Sequence, residues 1–276
     1  MWEYMTVLFS LLFCSIVLAS SGAKLQSYNL NKYSTTEFNL DCVHTTRSNI
    51  PTGHVFTFCY RHKPVVTLGQ MSGYVFIGNL GEGWQVDSGF DFTIWPSGPW
   101  LGLRSNGRTV WVGLGKGEGF DLLAWRHTCL SINFLDGKYN LYENGKLQVG
   151  GTADEFVEFK DKMPLNVNMV SIGCAYGAYK DSHIGVVTDF QLFGRALSTQ
   201  DMEAWTECLE RNDGDVISWE AENWHFNKTD GSSEVEHLDH DMVCNMVDQS
   251  LHIFPIKTLF RKALHLCEKI SGKLVQ

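Results

Sequence analysis

Basic residues are in short supply in this chain. Lys and Arg number 22 against 31 Asp and Glu, a formal charge of −9, and no basic stripe interrupts that balance. A surface built to neutralise phosphates has no support, which sets nucleic-acid recognition aside. No C-x-x-C pair occurs, so neither a zinc ribbon nor a redox dithiol is indicated. No G-x-S-x-G occurs, which removes the serine-hydrolase elbow. After Ala19 no segment approaches the ~20 consecutive apolar residues that a membrane-spanning helix needs. What is present is apolar and aromatic. Of 276 residues 44% are hydrophobic and 13% aromatic, nine of them Trp, enough for a packed core and a composition that favours strands. The length suits one large β-rich domain with an appendage, or two modest domains.

Residues 7–19 form a short apolar run, and Ser20, Ser21, Gly22 and Ala23 follow it with small side chains. This is the pattern of a secretory leader, so residues 1–23 are expected to be a signal peptide and the mature chain to be secreted. The segment before the run carries Glu3 and no Lys or Arg, which makes an uncleaved anchor the competing reading. Secretion changes how the eight cysteines read: losing Cys14 with the leader leaves Cys42, Cys59, Cys129, Cys174, Cys208, Cys244 and Cys267. Most should pair in an oxidising compartment. Their number is odd, so one thiol is free, bonds between chains, or has a partner beyond this sequence.

Between these cysteines the chain reads as successive hairpins. Trp100–Ser105 and Arg108–Gly113 flank Asn106-Gly107, the dipeptide that best fills a two-residue turn with positive φ at both positions. Asp136-Gly137 and Asn144-Gly145 repeat the signal. In the strand before Asp136, Leu130, Ile132 and Phe134 alternate with Cys129, Ser131 and Asn133, which places the two sets on opposite faces. Hairpins without intervening helices point to an all-β antiparallel sandwich. One surface helix is expected after Ser198, a candidate N-cap with Asp201 three residues on, and Met202, Trp205, Cys208 and Leu209 share its apolar face.

The order of these features resembles the pentraxin fold within the wider laminin-G-like group. The residues that carry the likeness are Phe56-Thr57-Phe58-Cys59, then Trp125-Arg126-His127-Thr128-Cys129, then Leu141 to Lys146. Val170-Ser171-Ile172-Gly173, the strand 184–193, the capped helix and Asp215 to Trp219 follow in the same sequence. The likeness spans roughly Lys24 to Asn227 and implies a two-sheet jelly roll with Cys59 bridged to Cys129. Closing a loop of that length would restrict the unfolded chain by ~4 kcal/mol. Pentraxins that bind through calcium carry acidic and amide ligands just after the Ile-x-Gly strand. Here those positions hold Cys174, Ala175, Tyr176 and Gly177, and only Asp181 and Asp87 offer carboxylates nearby. Calcium takes six to eight oxygens, so the double-calcium site is expected to be absent and no cofactor is assigned.

Jelly rolls also carry glycosidases, and Glu234, Glu236 and Asp239 resemble a laminarinase-type run. Glu234 and Glu236 would share a face, as two carboxyls ~5 Å apart must for retaining hydrolysis, but the segment lies beyond the expected sandwich and reads as an acidic linker. His237, His240 and Asp241 make an incomplete metal constellation. The alternating glycines of residues 113–119 lead into a strand rather than a phosphate-capping helix, so they read as an inter-strand loop. Trp84, Trp95, Trp100 and Trp111, with Tyr74 and Phe92, either fill the core or stack on a ligand. Trp84 and Trp100, beside Gly and Pro, are the candidate rim residues.

Asn227-Lys228-Thr229 is an N-glycosylation sequon, and Asn227 marks the expected end of the sandwich. Residues 228–276 are expected to be an acidic linker and a C-terminal helix, Phe260 to Val275, which resembles the start of a C-type-lectin-like domain. Either the protein continues past Gln276, or Cys244 pairs with Cys267 across a helical hook. The reading is therefore a secreted, non-enzymatic jelly-roll module that binds a glycan or an extracellular protein at its loop rims. Such a module gains avidity if it forms a homo-oligomer. A jelly-roll glycosidase and the sensor portion of a longer receptor are the alternatives.

Overall fold

The computed structural model describes residues 24–30, 42–64, 73–81, 86–95, 98–115, 124–163, 166–173, 185–208, 213–227 and 234–244. The expected leader, Trp84, Cys174 through Gly177, Asp181, and the expected C-terminal helix with Cys267 lie outside the described residues.

In chain order the strands are β1 (Lys24–Leu30), β2 (Cys42–Pro51), β3 (Val55–Pro64), β4 (Gly73–Leu80), β5 (Val86–Trp95), β6 (Gly98–Ser105), β7 (Arg108–Gly113), β8 (Arg126–Asn133), β9 (Lys138–Glu143) and β10 (Lys146–Thr152). A short helix α1 (Asp154–Phe159) precedes β11 (Asn166–Ile172) and β12 (Gly185–Phe193). Helix α2 (Thr199–Thr206), β13 (Ile217–Ser218), β14 (His225–Asn227), β15 (Glu234–Asp239) and helix α3 (His240–Cys244) complete the order. One sheet runs β10-β9-β8-β3-β12-β1-β15, with β13 added to β12, and the other runs β14-β2-β11-β4-β5-β6-β7. The described pairings are antiparallel, and the two sheets face each other as a jelly-roll sandwich.

Turn chemistry sets much of this register. Asn106 and Gly107 sit at φ 50° and 75°, and Asn144 and Gly145 at 50° and 74°, the doubly positive pair that a two-residue turn matched to strand twist demands. At Asp136-Gly137 the loop is longer. Asn133 Oδ1 accepts from Leu135 N at 2.9 Å and Asp136 Oδ1 from Lys138 N at 3.1 Å, while Gly137 takes φ 75°. Strand alternation then builds the core. Phe58 meets Phe90, Phe92 and Phe190 at ring-centroid distances of 6.2, 5.5 and 6.2 Å, with Leu130, Ile132 and Phe134 buried beside them.

β3 and β8 are buried on both faces because α2 covers the outer side of their sheet. The expected cap is present as a reciprocal box: Ser198 Oγ accepts from Asp201 N at 3.1 Å, and Asp201 Oδ2 accepts from Ser198 N at 3.0 Å. Met202 and Trp205 from α2 pack with Phe193, Leu197, Tyr142 and the Cys59–Cys129 bridge. Cys59 and Cys129 face each other directly across the β3–β8 ladder.

A polar knot anchors this layer. Arg61, 2% exposed, pairs with Asp189 at 2.7 Å and stacks over the Trp205 ring at 4.1 Å. It also donates to the carbonyls of Trp205 and Thr206 in the last turn of α2. Asp189 reaches Arg61 from a register shift in β12, where it adopts φ 51°. His127 Nδ1 accepts from Arg61 Nη1 at 2.9 Å, and His127 Nε2 donates to the Val243 carbonyl in α3 at 3.0 Å. Burial, and then the Arg61 cation, push the His127 imidazole down to about 3, so it is neutral across the physiological range.

Two expectations about the C-terminal part are corrected. Residues 234–239 are no linker: they form β15, paired with β1 from Lys24↔Asp239 to Asn29↔Glu234, so the sheet extends past the expected boundary at residue 227. An edge strand needs few buried side chains and tolerates charge, and here Leu238 packs onto Leu25, Trp125, Val186 and Val243 in a small cluster apart from the main core, while Val235 is 49% exposed. Its composition therefore imitates a linker. Cys244 bonds to Cys208, not to Cys267, because α3 folds back over the end of α2. Cys42 is also disulfide-bonded.

Candidate functional site

Tyr74, Phe76, Trp100 and Trp111 stand on the outer face of the seven-stranded sheet, away from the aromatic core. On β4–β7 the side chains that point away from the core fall into rows fixed by register. Tyr74, Thr93, Trp100 and Gly113 stand opposite one another in one row, and Phe76, Asp91, Gly102 and Trp111 in the next. The hairpin turn places each indole against a glycine of the partner strand. A Cβ on Gly102 would lie 2.8 Å from the Trp111 ring, and one on Gly113 would lie 3.4 Å from the Trp100 ring. Both rings thus lie down on bare backbone, and both remain half-buried.

Behind this pair the sheet is rigid. Asp91 is fully buried, accepts from the Tyr74 hydroxyl, and forms an ion pair with Arg104 from the next strand. Burial raises the Asp91 carboxyl, and the Arg104 guanidinium and Tyr74 hydroxyl resist that rise. With both oxygens engaged inside the protein, Asp91 cross-links three strands and is not a free acid or base. Tyr74, Phe76 and Met169 pack together on the same face beside Leu80 and Val86.

Next to them a cleft of about 480 Å³ is lined by Thr46, Arg47, Ser48, Asn168 and Met169. Its wall is a substituted strand pairing: Asn168 accepts from Leu80 N at 3.0 Å and donates to Leu80 O at 3.1 Å, where the β2–β11 register shifts. Arg47 and Thr45 are both tied to Glu222, whose side chain is only 5% exposed.

Of the two rim candidates, Trp100 lies in this face and Trp84 is outside the described residues. Trp111 is among the aromatic candidates but is not singled out for the rim, although a signal for it exists. W-x-G occurs on both sides of Asn106-Gly107, and a two-residue turn necessarily sets each Trp of that pattern opposite the other strand's Gly. Phe92 is core, whereas Tyr74 faces outward.

The other candidates are dispersed. Glu234 and Glu236 lie on β15, the last strand of the opposite sheet, and Glu236 Oε1 accepts from Asn29 Nδ2 at 2.8 Å. His237 pairs with Gln26 along the edge of the sheet. His240 approaches Cys208 and Cys244, but those sulfurs are bonded to each other and are not thiolate ligands. Asp87 is exposed, beside Gly81 at the end of β4. Asn227 closes β14 opposite Cys42.

No protein-family model matches the chain, and no curated protein matches its sequence. Solved structures do. A heptameric SAP-like pentraxin from Limulus polyphemus is 18% identical with a TM-score of 0.57, covering 80% of this chain and 97% of that one. The full extracellular region of zebrafish Gpr126/Adgrg6 is 15% identical with a TM-score of 0.55, covering 76% of this chain and 26% of that much longer one. The likeness is one of fold. The two-sheet jelly-roll sandwich expected from the ordered motifs is the fold this chain adopts. Among the described residues no helix is long and apolar enough to cross a membrane.

Proposed function

We propose that the chain is an extracellular, non-enzymatic recognition module that binds glycans on the outer face of β5–β7, with Trp100 and Trp111 as its stacking platform. The observation that carries this reading is the pair of half-buried indoles seated on Gly113 and Gly102. A ring that spends one face on backbone offers its other face, flat and apolar, to the C–H side of a sugar. The Tyr74–Asp91–Arg104 cross-link keeps the platform from flexing, which lowers the ordering cost of binding.

Extracellular placement is supported by the disulfides Cys59–Cys129 and Cys208–Cys244, together with the leader at residues 1–23 and the sequon at Asn227. Catalysis by Glu234 and Glu236 is disfavoured because Glu236 is held by Asn29 on an edge strand. Weak single sites would gain from a homo-oligomer that repeats the face.

A glycan array probed with the wild-type protein and with Trp100→Ala and Trp111→Ala tests the reading. Binding that falls on the order of tenfold in both variants supports it, and binding that survives both substitutions overturns it. Hydrolysis of an array member, lost in Glu236→Gln, would establish the glycosidase instead.

A further inference from the structure

Beyond the platform, the flank of the sandwich opens where β7 ends one sheet and β9, β10 and α1 end the other. A cleft of about 390 Å³ lies there, lined by Trp111, Gly113, Tyr139, Thr152, Asp154 and Glu155. That volume lies within the roughly 300–1,000 Å³ of small-ligand sites. Trp111 joins it to the platform, since the same residue that covers Gly102 also borders the cleft.

The walls are preformed. Phe156 and Phe159 bury α1 in the core, Ala153 N donates to Gly137 O at 3.0 Å, and the Tyr139 ring meets Phe156 edge-on at 5.8 Å. A Cβ on Gly151 would lie 3.1 Å from the Tyr139 hydroxyl, so that oxygen is held above bare β10 backbone. What faces the space is a phenol, a threonine hydroxyl and two carboxylates. The Asp154 and Glu155 side chains are exposed and make no ion pair or hydrogen bond among the described residues.

This is chemistry for a polyol. A carboxylate accepts two adjacent hydroxyls at once, while phenol and threonine hydroxyls both donate and accept. It is poor chemistry for an anion: no Lys or Arg among the described residues lines the cleft, and the protein already carries −9. We propose that the cleft is a subsite for the terminal hexose of a neutral glycan and discriminates against sialylated and sulfated ends. The proposal rests on the platform reading, because the rest of the glycan would run from the cleft onto Trp111 and Trp100.

Calorimetry with a neutral glycan identified on the array, and with its sialylated and sulfated counterparts, tests this on the intact protein. Wild type should bind the neutral form about tenfold or more tightly than the acidic forms. Asp154→Asn combined with Glu155→Gln should weaken neutral binding on the order of tenfold and narrow the gap to the acidic forms. Both side chains are exposed, and losing two carboxylates from the first turn of α1 should lower the melting temperature by no more than a few degrees. Chelation with EDTA should change nothing. Unaltered neutral binding in the double variant, equal affinity for acidic ends, or loss of binding in EDTA would each overturn the proposal, the last by giving the carboxylates to a cation. If Trp100→Ala and Trp111→Ala abolish binding while the double variant does not, the subsite fails and the platform stands. If wild type binds no glycan at all, both fail.

Discussion

Acidification should loosen the layer that holds α2 and α3 to the sandwich, and the size of the effect follows from His127. Its imidazole is 1% exposed and sits between the Arg61 cation and the Val243 carbonyl. In the unfolded chain it titrates near 6.5, and in the folded protein near 3. Between those values the unfolded state binds the extra proton, so stability rises with pH through this window and is lost as pH falls. Each unit is worth about 1.4 kcal/mol, so acidification from pH 7 to pH 5 should cost on the order of 2 kcal/mol through this residue. The assay is urea unfolding followed by tryptophan fluorescence between pH 7.5 and 4.5. The control is His127→Gln, whose amide can accept from Arg61 and donate to Val243 without titrating. The half-buried His44, also shifted down by burial and then by neighbouring His225, leaves a smaller pH dependence in both proteins. The stability difference between wild type and variant should therefore shrink by about 2 kcal/mol from pH 7 to pH 5. Parallel curves would refute the reasoning.

Other substitutions separate structure from recognition. Gly102→Ala places a methyl 2.8 Å from the Trp111 ring. It should cost about 1 kcal/mol in thermal unfolding while shifting tryptophan emission and weakening glycan binding. Replacing Cys208 and Cys244 by Ser opens a loop with a sequence separation of 36. It should cost roughly 3–4 kcal/mol, with hydrogen exchange rising first in β15 and α3. Arg104→Ala strands the buried Asp91 carboxyl without its cation and should destabilise by about 3 kcal/mol in chemical unfolding.

Local grammar carried most of the architecture. The Asn-Gly turns, the Leu130-Ile132-Phe134 alternation and the Ser198–Asp201 cap are each decided within a few residues, and the structure follows them. Contacts made at a distance were less legible. Leu238 alone could not announce β15 as a strand, because its stability comes from the backbone ladder with β1 rather than from its own composition. The Cys208–Cys244 bond depends on α3 returning to α2, a path drawn by His127 and Val243 that no spacing of cysteines encodes. The same limit applied to the site. Trp100 stood out by its neighbours, but Asp154 and Glu155 reach the Trp111 flank only because α1 plugs the sandwich with Phe156.

The pairing of Lys24 with Asp239 has a practical corollary. The described body starts and finishes side by side on β1 and β15, while β7 and β10 bound the opposite flank. A tether leaving the described body at Lys24 on β1 or at Asp239 on β15 would start on the flank away from Trp111. Copies held by those two strands would turn that indole toward the outside.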